Sequence, residues 1–551
     1  MNPENKTINP STTQYLALVF IIFLVFAFRI GELDVMPQWF WDEGVNLNLV
    51  CNLLSGDARI FGLEYSFIPH PPLYFLLGVV WNNLLGFGCA LSGLRWLSVL
   101  LGVLSILLLY SIGNRLGGIK IGLLASFLYA IFPAAVYWHR LAFANHLLAF
   151  LLLLSFLSWI EFSITRNLRW LWLSCFSAGL SLVTEYTGVA VAVSVTYLLW
   201  RFERRLLWKG FALIALPVLV FVAFMLSWRM EFFIHDFFNP FTNLPGTPLN
   251  QTVLVVALFF LFYLLREKII HILKSNIGQM LYFSIRYRNP DTRKKIISQD
   301  FYLLLSILYL VLSLTTLLAP SDESFLYGID FYWLGVLGLI FFSSVRHITL
   351  AFFLPIFLVT LKIGRTDHMI IPLYPFFVLG LVFLITSLYQ FWKRHISEKR
   401  STLEIVRPAL LIFLLGFIAT SFYHDANLFV LGEEISKTSP ENYLEVAKFL
   451  NPILQSDDVV VANSNFPRFI DGNVCILTLS IAREGGSIAY YPPLPEERFV
   501  FDCSFSRVDY FVLEEKTLDW LDNQSRSDLK GRILAMPVIF EHEQFKIYEN
   551  I

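Results

Sequence analysis

Asp42 and Glu43 stand side by side in "MPQWFWDEGVNLNLV", residues 36 to 50, just after the first long apolar run. Adjacent carboxylates at a membrane surface can take a proton from an acceptor or cap a helix start, where aspartate is favoured. Trp39 and Trp41 beside them would alone suit an interfacial aromatic belt. Other ionisable residues recur on the same side of the apolar runs: His70, Arg95, His139, Arg140, His146, Glu185, Arg229, His235, Arg365, Asp367 and His368. One arginine at a span end can snorkel to the headgroups. Acids, bases and imidazoles together at one face predict a polar cavity opening outward. Glu185 is the sharpest case. The segment from Trp170 to Phe202 holds two short apolar runs, so the turn between them should lie below the outer surface. A carboxylate there needs a partner or water.

The elements that must position these residues are membrane helices. With 56% hydrophobic and 15% charged residues in 551, the chain is too apolar for a soluble globular fold. Apolar runs between charged loops predict spans near 14–28, 94–113, 121–137, 147–164, 171–184, 186–200, 211–227, 249–265, 301–319, 331–345, 348–362, 372–390 and 408–423. The polar start "MNPENKTINPSTTQ" and the lack of a small-residue cleavage site mark the first run as a retained span, not a signal peptide. About two dozen Lys and Arg fall on one side and roughly seven on the other, which places the N-terminus inside. Counting residues 71–90 as a span would invert that order. They read instead as a helix against the outer surface or dipping into the membrane, inside a first outer loop of residues 30–93.

From residue 424 the character changes. A helix, "PENYLEVAKFLNPIL", precedes strand candidates "DVVVAN", "VCILTL" and "VDYFVLEE" and the closing hairpin "MPVIFEHEQFKIYEN". This predicts a small extracytoplasmic α/β domain over 424–551, following a membrane domain over 1–423. Cys51, Cys89, Cys475 and Cys503 then lie outside, where Cys51–Cys89 and Cys475–Cys503 could pair, while Cys175 sits in a span.

Taken in order, the Asp-Glu pair, "HPPLYF", "SGLRWLSVLLG", "YWHRLAFANHLLAF", "SLVTEYTGV" and "GRTDHMIIPLYPFF" resemble the protein O-mannosyltransferases. They equally resemble the bacterial aminoarabinose transferases that modify lipid A. Both belong to the GT-C superfamily, and the resemblance covers residues 14 to about 425. It implies an all-α polytopic membrane domain of GT-C type with about thirteen transmembrane helices, plus the small C-terminal α/β domain. It further implies sugar transfer from a polyprenyl-phosphate carrier to an acceptor on the outer face. Carried over, Asp42 is the catalytic carboxylate with Glu43 beside it, and His70 shapes the site. Arg365 and His368 lie near the lipid phosphate, and Arg140 matches the family's arginine in the third outer segment. Two departures stand out. Asn145 occupies a position where the family usually has aspartate, and Glu185 one where it often has lysine.

Such a transfer needs a base for the acceptor hydroxyl and donors aimed at the leaving phosphate. Asp42 fits the first role; Arg365, His368, Arg140 and Arg95 fit the second. The expected partners are a polyprenyl-phosphate sugar, a lipid, glycan or protein acceptor, and the bilayer, with no nucleic acid. No nucleotide-binding glycine loop is evident. A divalent cation at Asp42, Glu43 and the histidines stays open, since no ligand spacing demands one. The compact loops and tail suggest a prokaryotic plasma membrane. A lipid or sugar transporter, or a GT-C homologue with altered chemistry, are the competing readings.

Overall fold

The computed structural model describes residues 12–37, 39–67, 70–242, 334–336, 338–339, 346–363, 367–396, 440–486, 494–523 and 526–551. Residues 1–237 and 331–551 make one compact unit; of the second, 238–330, only the last turn of one helix is described. The spans expected at 249–265, 301–319 and 408–423, and most of 331–345, lie outside the described residues.

The apolar helices follow the apolar runs. They are α1 (Thr12–Arg29), α4 (Leu91–Gly117), α5 (Ile119–Ile131), α6 (Pro133–His139), α7 (Ala144–Thr165), α8 (Leu168–Leu182), α9 (Val189–Phe202), α10 (Leu207–Trp228), α12 (Arg346–Ile363) and α13 (Tyr374–Ile396). The segment between α1 and α4 contributes α2 (Trp41–Leu54), a two-stranded ladder of β1 (Arg59–Ile60) and β2 (Leu63–Glu64), and α3 (Leu73–Leu84). A further helix, α11 (Met230–Thr242), follows α10. Among the described residues, α4, α7, α10 with its preceding turn, and residues 368–387 are long and apolar enough to cross a bilayer. Leu16, Val19, Phe20 and Phe23 on α1, and Leu219, Val220 and Phe224 on α10, are exposed, as a lipid-facing surface requires.

The single span expected over 121–137 is instead a bent pair. α5 and α6 meet at 64° where Pro133 opens α6. Proline pushes the preceding residue out of the helical region, and Phe132 is extended at ψ 116°. Close packing joins the other helices. Gly113 of α4 faces Gly122 of α5 so tightly that a Cβ on either would strike backbone. Ser155 and Ser174 donate to each other's carbonyls at 2.9 Å, tying α7 to α8. α3 spans only Leu73–Leu84, too short to cross a bilayer.

The C-terminal segment builds α14 (Pro440–Leu450), β3 (Val459–Ala462), β4 (Asn473–Ile476), α15 (Leu477–Arg483), β5 (Tyr510–Glu514), α16 (Glu515–Asn523), α17 (Ser527–Leu534), β6 (Val538–His542) and β7 (Phe545–Glu549). The sheet order is β4-β3-β5-β7-β6, with β3 parallel to both neighbours and β7 antiparallel to both of its own. β3 reads "VVVA" with every residue buried, the pattern of a strand covered on both faces. The strand expected over "VCILTL" stops at Ile476, and Leu477 begins α15, whose Leu479 and Ala482 bury against the sheet. Cys475 and Cys503 form a disulfide, while Cys51, Cys89 and Cys175 are free thiols.

The sheet and the segment between α1 and α4 share one core, which includes Leu47, Ile60 and Tyr65 from that segment and Tyr443, Val461 and Phe466 from the tail. Trp39 stacks on Tyr443 and Phe469 at 5.8 and 5.5 Å, under the Arg468 guanidinium. Phe499 bridges Leu63, and Val500 N–H donates to Gly62 O at 2.8 Å. The tightest contact is on α2. Gly44 lies against the Ser464 carbonyl and Asn465, and the Ser464 hydroxyl donates to the Trp41 carbonyl. A methyl group at 44 would collide with backbone, so Gly44→Ala should part the sheet from α2. Hydrogen exchange at residues 41–50 and 463–469 should speed at least tenfold; unchanged protection would refute the contact.

Candidate active site

Asp42 lies in the first turn of α2, where the helix N-terminus favours a carboxylate. Its side chain remains 52% exposed, and His368 Nε2 sits 3.9 Å from Oδ2, in contact but beyond hydrogen-bond range. Desolvation by the surrounding protein, with the charge of Glu43 second, raises its pKa to about 6.

Glu43, one residue on, has a different environment. It is fully buried, and Arg95 grips both oxygens, Nε to Oε1 at 2.8 Å and Nη2 to Oε2 at 2.6 Å. Oε1 also accepts Ala142 N–H at 2.7 Å, and Oε2 accepts Phe40 N–H at 3.1 Å. Arg95 reaches further, Nη1 donating to the Leu33 and Pro37 carbonyls at 3.0 and 2.9 Å. Arg140 Nη2 donates to Gly31 O and Met36 O at 2.5 and 3.1 Å, and Trp39 Nε1 to Asp34 O at 2.9 Å. Five carbonyls of residues 31–37 are thereby held, and that stretch delivers Asp42.

His368 belongs to the 3-10 turn Asp367–Leu373 and lies flat on Phe143, centroids 4.7 Å apart at 6°. Phe40 and Trp138 approach its ring at 6.2 and 6.3 Å. Its buried Nδ1 has no hydrogen-bond partner among the described residues. His70, before α3, sets its ring edge-on to Phe75 at 6.2 Å; burial lowers its imidazole to about 4, so it is neutral at pH 7. It lies within electrostatic reach of His368. Glu185 caps the 3-10 turn Tyr186–Gly188 between α8 and α9, its Oε1 accepting Tyr186 N–H at 3.1 Å. Burial first, with Asp42 adding like charge, raises its carboxyl to about 7. Asn145 is buried in the first turn of α7, with Nδ2 3.7 Å from Met369 Sδ.

Behind this group, fully buried Arg29 donates Nε to His139 Nδ1 at 3.1 Å and Nη1 to the Ala130 carbonyl at 2.7 Å. That fixes the tautomer, leaving His139 Nε2–H to face the Tyr129 hydroxyl at 3.2 Å. His146 packs edge-on to His139 at 5.2 Å.

Asp42, Glu43, Arg95, His368, His70 and Glu185 thus come together, with Arg140 and Asn145 at their edge. Arg229 and His235 belong to a second network: Arg229 pairs with Glu64, His235 with Asp236, and Arg498 grips Asp236 at 2.6 and 3.0 Å. Arg365 and the Asp367 side chain lie outside the described residues. Among the described residues no group of three or more His, Cys, Asp or Glu is placed to hold a metal ion. The sequence did not single out Phe143, Arg29 or Ser464. Phe143 lies in the quoted "YWHRLAFANHLLAF", and Ser464 follows a parallel strand end, where such sheets usually present contacts.

Residues 69–228 match the family model for dolichyl-phosphate-mannose-protein mannosyltransferase. The archaeal oligosaccharyltransferase of Archaeoglobus fulgidus, in its apo form, is similar in fold. It is 12% identical, covers 92% of this chain and 70% of its own, and has a TM-score of 0.52. The same organism's AglB in complex with an inhibitory peptide and a dolichol-phosphate matches at 12% identity over 98% of this chain and 74% of that one, TM-score 0.51. ArnT from Cupriavidus metallidurans bound to undecaprenyl phosphate is 13% identical over 98% of this chain and 99% of that one, TM-score 0.47. No curated protein matches. The likeness thus runs from the family-model match over residues 69–228 to a fold similar to that of the archaeal oligosaccharyltransferase.

Removing one partner of the buried ion pair strands a charge. Arg95→Met should cost about 3–5 kcal/mol. Glu43→Leu with Arg95→Met should recover more than half of that loss in thermal unfolding. Additive losses would show that the pair is not coupled.

Proposed function

We propose that the chain is a GT-C glycosyltransferase that moves a sugar from a polyprenyl-phosphate donor to an acceptor hydroxyl at the outer face of the membrane. Asp42 takes the hydroxyl proton as the acceptor oxygen attacks the anomeric carbon. The bond from that carbon to the phosphate oxygen breaks, and the phosphate leaves with the electron pair. Attack from the face opposite the leaving group inverts the configuration.

The observation that carries this reading is the contrast between neighbours. Glu43 is saturated by one cation and two N–H groups, whereas Asp42 is accessible and free of any strong pair. A carboxylate raised to about 6 is ionised at neutral pH yet more basic than an ordinary aspartate. Glu43, Arg95 and Arg140 act as positioning residues, because their hydrogen bonds hold the chain that carries Asp42. His368 and His70 line the donor side, where Arg365 would meet the phosphate, and Asn145 contributes a neutral amide. The dolichol-phosphate held by the archaeal protein of similar fold supports a lipid-borne donor.

In this reading about thirteen spans set the N-terminus in the cytoplasm and the 424–551 domain outside a prokaryotic plasma membrane. The Cys475–Cys503 disulfide supports an oxidising side for that domain.

Purified protein incubated with a panel of polyprenyl-phosphate sugars should consume one of them by mass spectrometry. Asp42→Asn should lower that rate at least about a hundredfold while leaving thermal unfolding unchanged. Full activity of this variant overturns the assignment. Because the ionised form is the base, kcat/KM should rise about tenfold per pH unit as the pH climbs towards 6. A rate that falls through that window contradicts the role.

A further inference from the structure

Glu185 is a carboxyl group in an unusual position. Its residue is only 7% exposed, and Oε1 accepts a single backbone N–H, that of Tyr186. No ion pair and no bond to Oε2 exists among the described residues. Among the described side chains, the elements packed around it bring no nearby cation. α8 and α9 carry Arg169 and Arg201 only at their far ends. α12 offers His347 at its exposed start, while the side chains of Arg346 and Lys362, and of Arg365 just after the helix, lie outside the described residues. α3 is tied to the turn by Leu73 N–H donating to Val183 O, and it brings His70, which is neutral. The charge that does reach Glu185 is Asp42, an anion, and Tyr186 beyond it feels Asp236. A buried carboxyl whose nearest described charge is an anion is stable as the neutral acid.

We propose that Glu185 works as a neutral carboxylic acid whose O–H donates a hydrogen bond to a phosphate oxygen of the lipid donor. The inference rests on the glycosyl-transfer reading and resolves its main conflict, an acid where an anionic donor must bind. The acid supplies a short, charge-assisted O–H···O⁻ bond, and the arriving anion makes ionisation of Glu185 harder still. Proton and donor therefore stabilise one another, and donor affinity falls as pH rises through the titration of Glu185. A sugar hydroxyl at the same place would bond either form and leave affinity independent of pH.

The test uses the full-length protein and undecaprenyl methyl phosphate, a phosphodiester whose single charge is constant between pH 5 and 9. Measurements are made in the Asp42→Asn background, so that Asp42 does not titrate. Affinity should fall about tenfold from pH 6 to pH 8.5 with Glu185 present. With Glu185→Gln, an amide that always donates, it should stay flat and within about threefold of the pH 6 value. Glu185→Ala should bind about tenfold more weakly at pH 6. Tight binding that is independent of pH, or a Glu185→Gln protein that loses affinity as steeply as its parent, overturns the proposal alone. Absence of binding in every variant at every pH overturns the lipid-donor reading as well.

Discussion

Two oxygens of Glu43 meet two nitrogens of Arg95 in a site closed to water, and the surroundings of Asp42 are organised around that contact. A buried pair of this kind contributes little net stability against an apolar replacement, but it penalises any arrangement that separates its members. It joins the first turn of α2 to α4, and the remaining donors of Arg95 reach back to the segment before α2. Consecutive helical residues diverge by about 100°, so one carboxylate of the Asp-Glu pair turns inward and is fixed while the other turns to the site.

Support for this arrangement comes in layers from different parts of the chain. Arg29 satisfies the carbonyl of Ala130 where α5 ends at the Pro133 bend, and so stabilises an interruption that would otherwise leave acceptors bare in the membrane. The bend carries Arg140 to the carbonyls of Gly31 and Met36. From the other side the C-terminal sheet closes on α2 through Gly44. Nothing in this set need touch a substrate, yet each part restricts where Asp42 can be.

Much of this was legible beforehand, and the reasons differ by residue. Apolar run length marked out α4, α7, α10 and the helix over 368–387, because a bilayer demands about 20 apolar residues per crossing. The short α3 was readable because Asn82, Asn83 and glycines interrupt its run. The bend at Pro133 was also available from the proline rule, but continuous hydrophobicity across it masked the break. "VCILTL" reads as a strand from its mix of β-branched and apolar residues. Only the burial of Leu479 and Ala482 against the sheet decides for a helix after Ile476. The distinct fates of Asp42 and Glu43 were not legible, since side-chain type is nearly the same and the deciding partner lies 52 residues away. Gly44 was equally silent. A glycine in a helix can mean a close approach, and the approaching strand end is more than 400 residues downstream.

That last separation has a consequence for biosynthesis. The ion pair between Glu43 and Arg95 can close once 52 further residues exist, roughly 3–10 s at ordinary elongation rates. The seat for Gly44 and Trp41 is 423 residues later, so α2 waits roughly 20–85 s with its apolar face uncovered. Throughout that interval the nascent loop depends on its early partner, and the surroundings of Asp42 are among the last places on the molecule to become complete.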